Sequence, residues 1–132
     1  MKQQNWMKAL TDVITNAQRQ PFSWGHHDCC LFAADCALAV AGVDPAAEYR
    51  GRYSTELGAK RALTKIHGSI ESAFDAHFQR VDPAFVQRGD IVLIESALGR
   101  AAGVVWAHSI WSVSPKATGP VDLKPLIAWR VE

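Results

Sequence analysis

The sequence predicts an α+β domain, with helices in the first part of the chain and an antiparallel sheet in the second. Up to Phe78 the apolar residues recur at helical spacing between capping residues, and beyond Pro83 short apolar runs alternate with turns. The chain has 132 residues, of which 48% are hydrophobic and 20% charged. This size and composition indicate one soluble globular domain, residues 1–132.

Two helices are predicted in the first third of the chain. Apolar residues spaced as on one helix face follow Asn5, a good N-cap residue, and predict a first helix over residues 5–18. A second helix is predicted over residues 28–41, between Asp28 as N-cap and Gly42 as its stop. This second segment is apolar on most sides, so we expect it to be the central buried helix.

Shorter helices and four strands are predicted in the rest of the chain. We expect Ser54 to cap a third helix that ends at Gly68, and Ser69 to open a short fourth helix. The predicted strands, the middle two of which form a hairpin with its turn at Ala107 and His108, are residues 90–95, 103–106, 109–113 and 126–131.

The strongest chemical signal is the segment of residues 24–30. Gly25 provides a flexible turn, Asp28 provides the N-cap, and Cys29 then falls in the first turn of the predicted helix. A thiol at that place lies near unpaired N–H groups and the positive end of the helix dipole, which both favour the thiolate. Cys29 is therefore the candidate nucleophile; the alternative is a small apolar packing residue.

The remaining cysteines are predicted to be packing residues. Cys30 is expected to point to another side of the helix, and Cys36 to lie deeper in the core. Together with the neighbouring histidines they lack the spacing of a zinc site, so no metal and no cofactor is predicted. Three cysteines, two of them adjacent, argue against a disulfide framework and indicate a reducing cytoplasm.

The order of an Asp-Cys pair at a helix start and Gly89-Asp90 before a strand resembles the NlpC-type branch of the papain-like cysteine peptidases, many of which cut peptidoglycan stem peptides. The resemblance implies a papain-like fold in which the helix headed by Cys29 packs on the sheet. In that family the next strand begins with the catalytic histidine, followed by Val-Gly-Ile. Matching residues 102–104 to that tripeptide places Ala101 at the histidine position. The resemblance thus implies a nucleophile that has lost its base.

A second resemblance covers nearly the whole chain. A group of small proteins encoded among phage and prophage tail genes, with no assigned activity, is similar in residues 21–35, 42–46, 50–53 and 128–131. This resemblance implies a tail-tip or tail-assembly component whose partners are other phage tail proteins, with peptidoglycan as a second candidate partner. It also implies a location in the host cytoplasm during assembly and then in the virion tail.

Two hypotheses of function follow from these resemblances. The first is a non-enzymatic tail component, and the second is a cysteine hydrolase that cleaves stem peptides during phage entry with a non-standard base. The candidate bases are His108, at the predicted hairpin turn, and His27, which is close to Cys29 in the chain. An imidazole within hydrogen-bond reach of the Cys29 sulfur would favour the hydrolase.

The sequence also indicates which kinds of partner are not expected and which residues are candidates for an interface. A net charge of +1 gives no sign of nucleic acid as a partner. The first residues lack the apolar region of a signal peptide, and no apolar run reaches the length of a transmembrane helix. The candidate interface residues, chosen as aromatic residues of the hairpin and as residues of an exposed loop, are Trp106, Trp111, Arg50, Arg52 and Tyr53.

Overall fold

The computed structural model describes residues 1–97 and 99–132, and within them it has four α-helices and one six-stranded antiparallel sheet. The helices are α1 (Trp6–Ala17), α2 (Cys29–Ala41), α3 (Glu56–Ile66) and α4 (Ile70–Asp75). The strands are β1 (Gln79–Val81), β2 (Ile91–Ser96), β3 (Gly99–Trp106), β4 (Ser109–Val113), β5 (Thr118–Val121) and β6 (Ile127–Arg130), in the spatial order β1-β6-β2-β3-β4-β5. The predicted α+β class is confirmed. No helix in the described part of the chain is both long and apolar enough to span a bilayer.

Helix α2 is the central buried helix that the sequence predicts. It begins after Asp28, whose carboxylate accepts the Leu31 N–H, and it ends at Gly42 with φ 72°. Its buried side chains include Phe32 and Cys36, which belong to the same core cluster as the inner residues of the sheet. The helix therefore has one end fixed by a cap and one side fixed against the strands.

The start of α1 is close to the predicted residue, but it is not stabilised by the predicted cap. Asn5 does precede the helix, but its backbone is left-handed (φ 62°) and its side chain makes no capping hydrogen bond. The helix is held instead by its buried face, formed by Leu10, Ile14 and Ala17.

Two further boundaries and two additional strands correct the sequence-based prediction. Helix α3 is capped by Thr55, whose hydroxyl accepts the Gly58 N–H, and not by Ser54. Strand β3 begins at Gly99, four residues early, because residues 99–102 pair with the second half of β2. Strands β1 and β5 were not predicted, because they are only three and four residues long and are defined by pairing with β6 and β4.

The sheet contributes apolar side chains to two separate clusters. Leu93, Ala102 and Val104 lie in the cluster that packs against α1 and α2. Val92, Ile94 and Ala128 are buried in a second cluster, with Ala101 packed beside them. Because side chains alternate along a strand, the neighbours Ala101 and Ala102 of β3 belong to different clusters.

Candidate functional site

The turn before α2 is held by a buried carboxylate. Asp28 is 1% exposed. One of its oxygens accepts the Leu31 N–H at 3.0 Å, and the other accepts the Gly25 N–H at 3.1 Å and the Tyr53 hydroxyl at 2.7 Å. Three donors thus satisfy the carboxylate and fix the position of the next residue, Cys29.

Gly25 allows the loop that carries Tyr53 to pack directly on this turn. Its φ is 85°, and a Cβ built there would clash with the Tyr53 carbonyl oxygen. The Gly25 carbonyl accepts the Gly51 N–H at 2.9 Å. Burial, together with the hydrogen bond to Asp28, raises the pKa of Tyr53 well above its ordinary value. The hydroxyl therefore stays protonated and donates to the carboxylate.

Cys29 lies half-buried in the first turn of α2, as predicted. A hydrogen bond with the Cys30 thiol lowers the pKa of Cys29 below its ordinary value. Burial and the charge of Asp28 oppose this change, whereas a backbone hydrogen bond from Ala102 adds to it. The result is a thiol that ionises more readily than an ordinary cysteine.

The position of Cys30 corrects the prediction that it points elsewhere. Its sulfur lies 3.9 Å from the Cys29 sulfur, and both residues line one cavity. Side chains of a first helical turn lean toward the open N-terminal end of the helix, so two consecutive sulfurs can meet there. The hydrogen bond to Cys29, together with burial, raises the pKa of Cys30, so that Cys30 is the protonated partner.

Cys36 is buried in the core, as expected of a packing residue. Burial raises the pKa of its thiol well above the ordinary value. It takes no part in the pair formed by the other two cysteines.

Strand β3 contributes two alanines near Cys29. Ala101, which the resemblance places at the histidine position, lines the same cavity as Cys29 and packs beside the second apolar cluster. The backbone of Ala102 helps to lower the pKa of Cys29. Among the described residues, the hydrogen bond of the Cys29 thiol goes to the Cys30 thiol, and none goes to an imidazole.

The two candidate bases are held elsewhere. His27 is buried, with Nε2 3.2 Å from the Thr118 hydroxyl and its ring 6.4 Å from the ring of Phe32. Its Nδ1 has no partner in the described part of the chain. His108 is exposed in the turn between β3 and β4, beyond Trp106, and the strand from Ala102 to Trp106 alone spans about 13 Å. Among the described residues, neither histidine makes a hydrogen bond with the Cys29 thiol.

A cavity of about 770 Å³ opens in front of the two thiols. Aromatic side chains from the turn and the loop form one wall, helices α3 and α4 form another, and the end of the β4–β5 hairpin closes the third side. The residues that line these walls include Phe22, Trp24, Tyr53, Leu63, Phe74 and Ser112. A space of this size holds a ligand as large as a drug molecule or a short peptide.

Sequence reasoning missed the helical wall of this cavity. Leu63 and Phe74 repeat with helical spacing, which is the pattern of ordinary core residues. The sequence carries no signal that separates such residues from cavity-lining ones, because the difference depends on how far the two helices stand from α2.

Arg50, a candidate interface residue, is engaged inside the protein. Its guanidinium pairs with Asp35 at 2.7 Å and with Asp44 at 2.9 Å, and about a third of its side chain is exposed. Burial raises the pKa of Asp35, and the charge of Arg50 opposes that rise. The arginine thus ties α2 to the loop that follows it, whereas Arg52 is exposed.

Trp106 and Trp111 pack on each other and on the core. Their ring centroids are 5.1 Å apart at 80°, and both rings are half-buried against the cluster that includes α1 and α2. Within the described residues the Trp111 Nε1 is buried without a hydrogen-bond partner. This packing gives both rings a structural role, and their use as interface anchors stays a prediction.

The fold and the site define a class: an α+β protein in which a buried helix packs on an antiparallel sheet and the two cysteines at the head of that helix line an open cavity. The chain belongs to the family described as a domain of unknown function, DUF6950, which matches residues 1–131. No curated protein matches the chain.

Proposed function

We propose that this chain is a papain-like, NlpC-type domain of a phage or prophage tail, and that it binds its target without cleaving it. The observation that carries the proposal is that no histidine among the described residues makes a hydrogen bond with the Cys29 thiol. Acyl transfer by a cysteine needs a group that accepts the thiol proton and returns it to the leaving group. Ala101, at the histidine position that the resemblance implies, can do neither.

The arrangement of elements supports the papain-like part of the proposal. A cysteine heads the buried helix α2, and this helix packs on an antiparallel sheet whose strand β2 follows Gly89-Asp90. This is the order of parts that the resemblance to the NlpC-type branch implies. The support is one of architecture, since fold alone does not define an activity.

The cavity supports the binding part of the proposal. Its walls carry several aromatic side chains, including Phe22, Trp24 and Tyr53, and such side chains contribute large contact areas with few rotatable bonds. The resemblance to tail-gene products suggests other phage tail proteins as partners, with peptidoglycan as the second candidate.

One observation favours the hydrolase as a second candidate. The pKa of Cys29 is lowered, and its thiol lines a cavity large enough for a peptide. A lowered pKa supplies thiolate, but it supplies no proton for the leaving amine.

Digestion of peptidoglycan separates the two functions. The purified protein is incubated with purified sacculi, and released stem-peptide fragments are measured by mass spectrometry, with Cys29→Ala as the matched control. We expect no release above the control. Release that the Cys29→Ala substitution abolishes would overturn the binding function in favour of the hydrolase.

The tail role is tested in the phage or prophage that encodes the chain. Deleting the gene should lower the yield of infectious particles, and the Cys29→Ala variant should restore the yield as well as the unchanged protein does. A full yield from the deletion, with no trace of the chain in purified virions by mass spectrometry, would contradict the tail role.

A further inference from the structure

The proposed binding function assigns no role to the two thiols that line the cavity. Cys29 and Cys30 are adjacent in the chain, both are half-buried, and their sulfurs lie 3.9 Å apart on the cavity wall. We infer that this pair is a chelating dithiol that binds one soft, thiophilic ion, of the class of trivalent arsenic or monovalent copper. The inference is independent of the tail role.

The distance between the sulfurs fits a shared ion. Two thiolates 3.9 Å apart, each about 2.3 Å from one ion, enclose an angle of about 115° at that ion. This angle suits trigonal or tetrahedral coordination with one or two positions left open. Soft thiolate ligands select soft ions over hard ones such as magnesium and calcium.

The same geometry disfavours a disulfide between the two residues. Consecutive Cα atoms are about 3.8 Å apart across a trans peptide, whereas the Cα atoms of a disulfide are usually about 4.4–6.8 Å apart, so a disulfide here would be strained. Both residues also belong to the first turn of α2, which a disulfide would have to distort. Both cysteines are free thiols in this structure, and a bridging ligand can bind them without this strain.

The surroundings favour deprotonated sulfurs. Both cysteines lie in the first turn of α2, where the N-terminus of the helix stabilises negative charge on the sulfurs. The thiolate is the form in which cysteine binds a metal or metalloid. The cavity leaves room for a further substituent on the ion, such as an aryl group or a second thiol.

Phenylarsine oxide is the first probe, because its reaction with two thiols is balanced and needs no oxidant. Two As–S bonds form, the As–O bond breaks, and the two thiol protons leave with the oxygen as water. We expect one adduct per chain by intact mass, with the loss of two titratable thiols. A small dithiol in excess should remove the adduct, and a monothiol at the same concentration should not.

Serine variants identify the ligands. Cys29→Ser and Cys30→Ser should each weaken binding about a hundredfold or more, because one thiol loses the second bond of the chelate. Cys36→Ser is the matched control and should bind as the unchanged protein does, since Cys36 is buried away from the pair. Circular dichroism and thermal melting check that each variant is folded, and alanine replaces serine where a serine variant is not.

Cadmium(II) alone is the second probe, read by the ultraviolet absorption of thiolate-to-metal charge transfer. We expect that absorption in the unchanged protein and in Cys36→Ser, and its loss in the other two variants. Equal affinity of folded Cys30→Ser for either probe, a need for Cys36, or no binding by the folded unchanged protein would overturn the inference.

Discussion

Asp28 and Asp90 are both buried carboxylates, 1% and 0% exposed, but the protein compensates their charges in different ways. Asp28 accepts two backbone N–H groups and the Tyr53 hydroxyl, and no cation of the described residues pairs with it. Asp90 accepts the Gln87 N–H at 2.8 Å, the Val131 N–H at 3.3 Å and the Arg130 Nε at 3.1 Å. The first carboxylate therefore depends on dipoles alone, and the second on an ion pair as well.

The comparison shows what the two residues do. Asp28 fixes the head of α2, and Asp90 ties the start of β2 to the end of the chain. These are the two aspartates on which the resemblance to the NlpC-type branch rests. The hydrogen bonds of both aspartates stabilise the fold. Their presence in the sequence is therefore explained by structure and is not evidence for catalysis.

The largest effect is expected at Asp90. The Asp90→Ala substitution leaves the partly buried Arg130 guanidinium without its ion pair and two N–H groups without an acceptor. We expect a loss of about 3–5 kcal/mol in the free energy of unfolding, measured by urea denaturation. Asp90→Asn keeps the shape and one acceptor oxygen, so its loss should be smaller. Equal losses would show that the ion pair is not the main contribution.

Asp28→Ala should have the next largest effect. The substitution removes the cap of α2 and leaves the Gly25 N–H and the Tyr53 hydroxyl without their acceptor. The loss of the cap and the two donors left without an acceptor should together lower the free energy of unfolding by about 2–4 kcal/mol. Thr55→Ala removes a comparable capping bond from the exposed start of α3 and should lose only about 1 kcal/mol. A loss at Asp28 no greater than that at Thr55 would mean that the buried donors find other partners.

Local rules predicted the helical half of this protein well. The limits of α2 follow from the cap chemistry of Asp28 and Gly42, and α1 follows from its apolar spacing. The two-residue turn at Ala107 and His108 is confirmed, with both residues at positive φ. These features depend on residues that are neighbours in the chain.

Features that depend on distant pairing were not predictable in the same way. β1 and β5 exist because β6 and β4 lie beside them, and β5 contains Gly119 and Pro120, which are unfavourable strand residues. At the site, the position of Cys29 was predicted, but its contact with Cys30 was not.

Tyr53→Phe sharpens the comparison, because it removes a single donor from Asp28. The loss of one hydrogen bond to a buried carboxylate should lower the free energy of unfolding by about 1–2 kcal/mol near neutral pH. The pKa of Tyr53 is raised in the folded protein, so its contribution is complete below the unfolded tyrosine pKa of about 10 and is lost as the pH rises above it. The difference between the two proteins should therefore shrink in urea denaturation series above about pH 10. A difference that stays constant there would contradict the hydrogen bond.

The smallest expected effect is that of the Asp28 charge on the pKa of the neighbouring Cys29. The charge of this carboxylate raises the pKa of Cys29, whereas Asp90 makes no contribution of that kind among the described residues. Asp28→Asn should therefore lower the pKa of Cys29 further, and the rate of its alkylation by iodoacetamide at pH 7 should rise by less than about tenfold. Asp90→Asn, the matched control, should leave that rate unchanged. Peptide mapping by mass spectrometry assigns the modified residue and should show Cys29 reacting before the buried Cys36 in all three proteins. A slower reaction of Cys29 in Asp28→Asn would mean that the carboxylate acts on the thiol through the position of the helix end, and not through its charge.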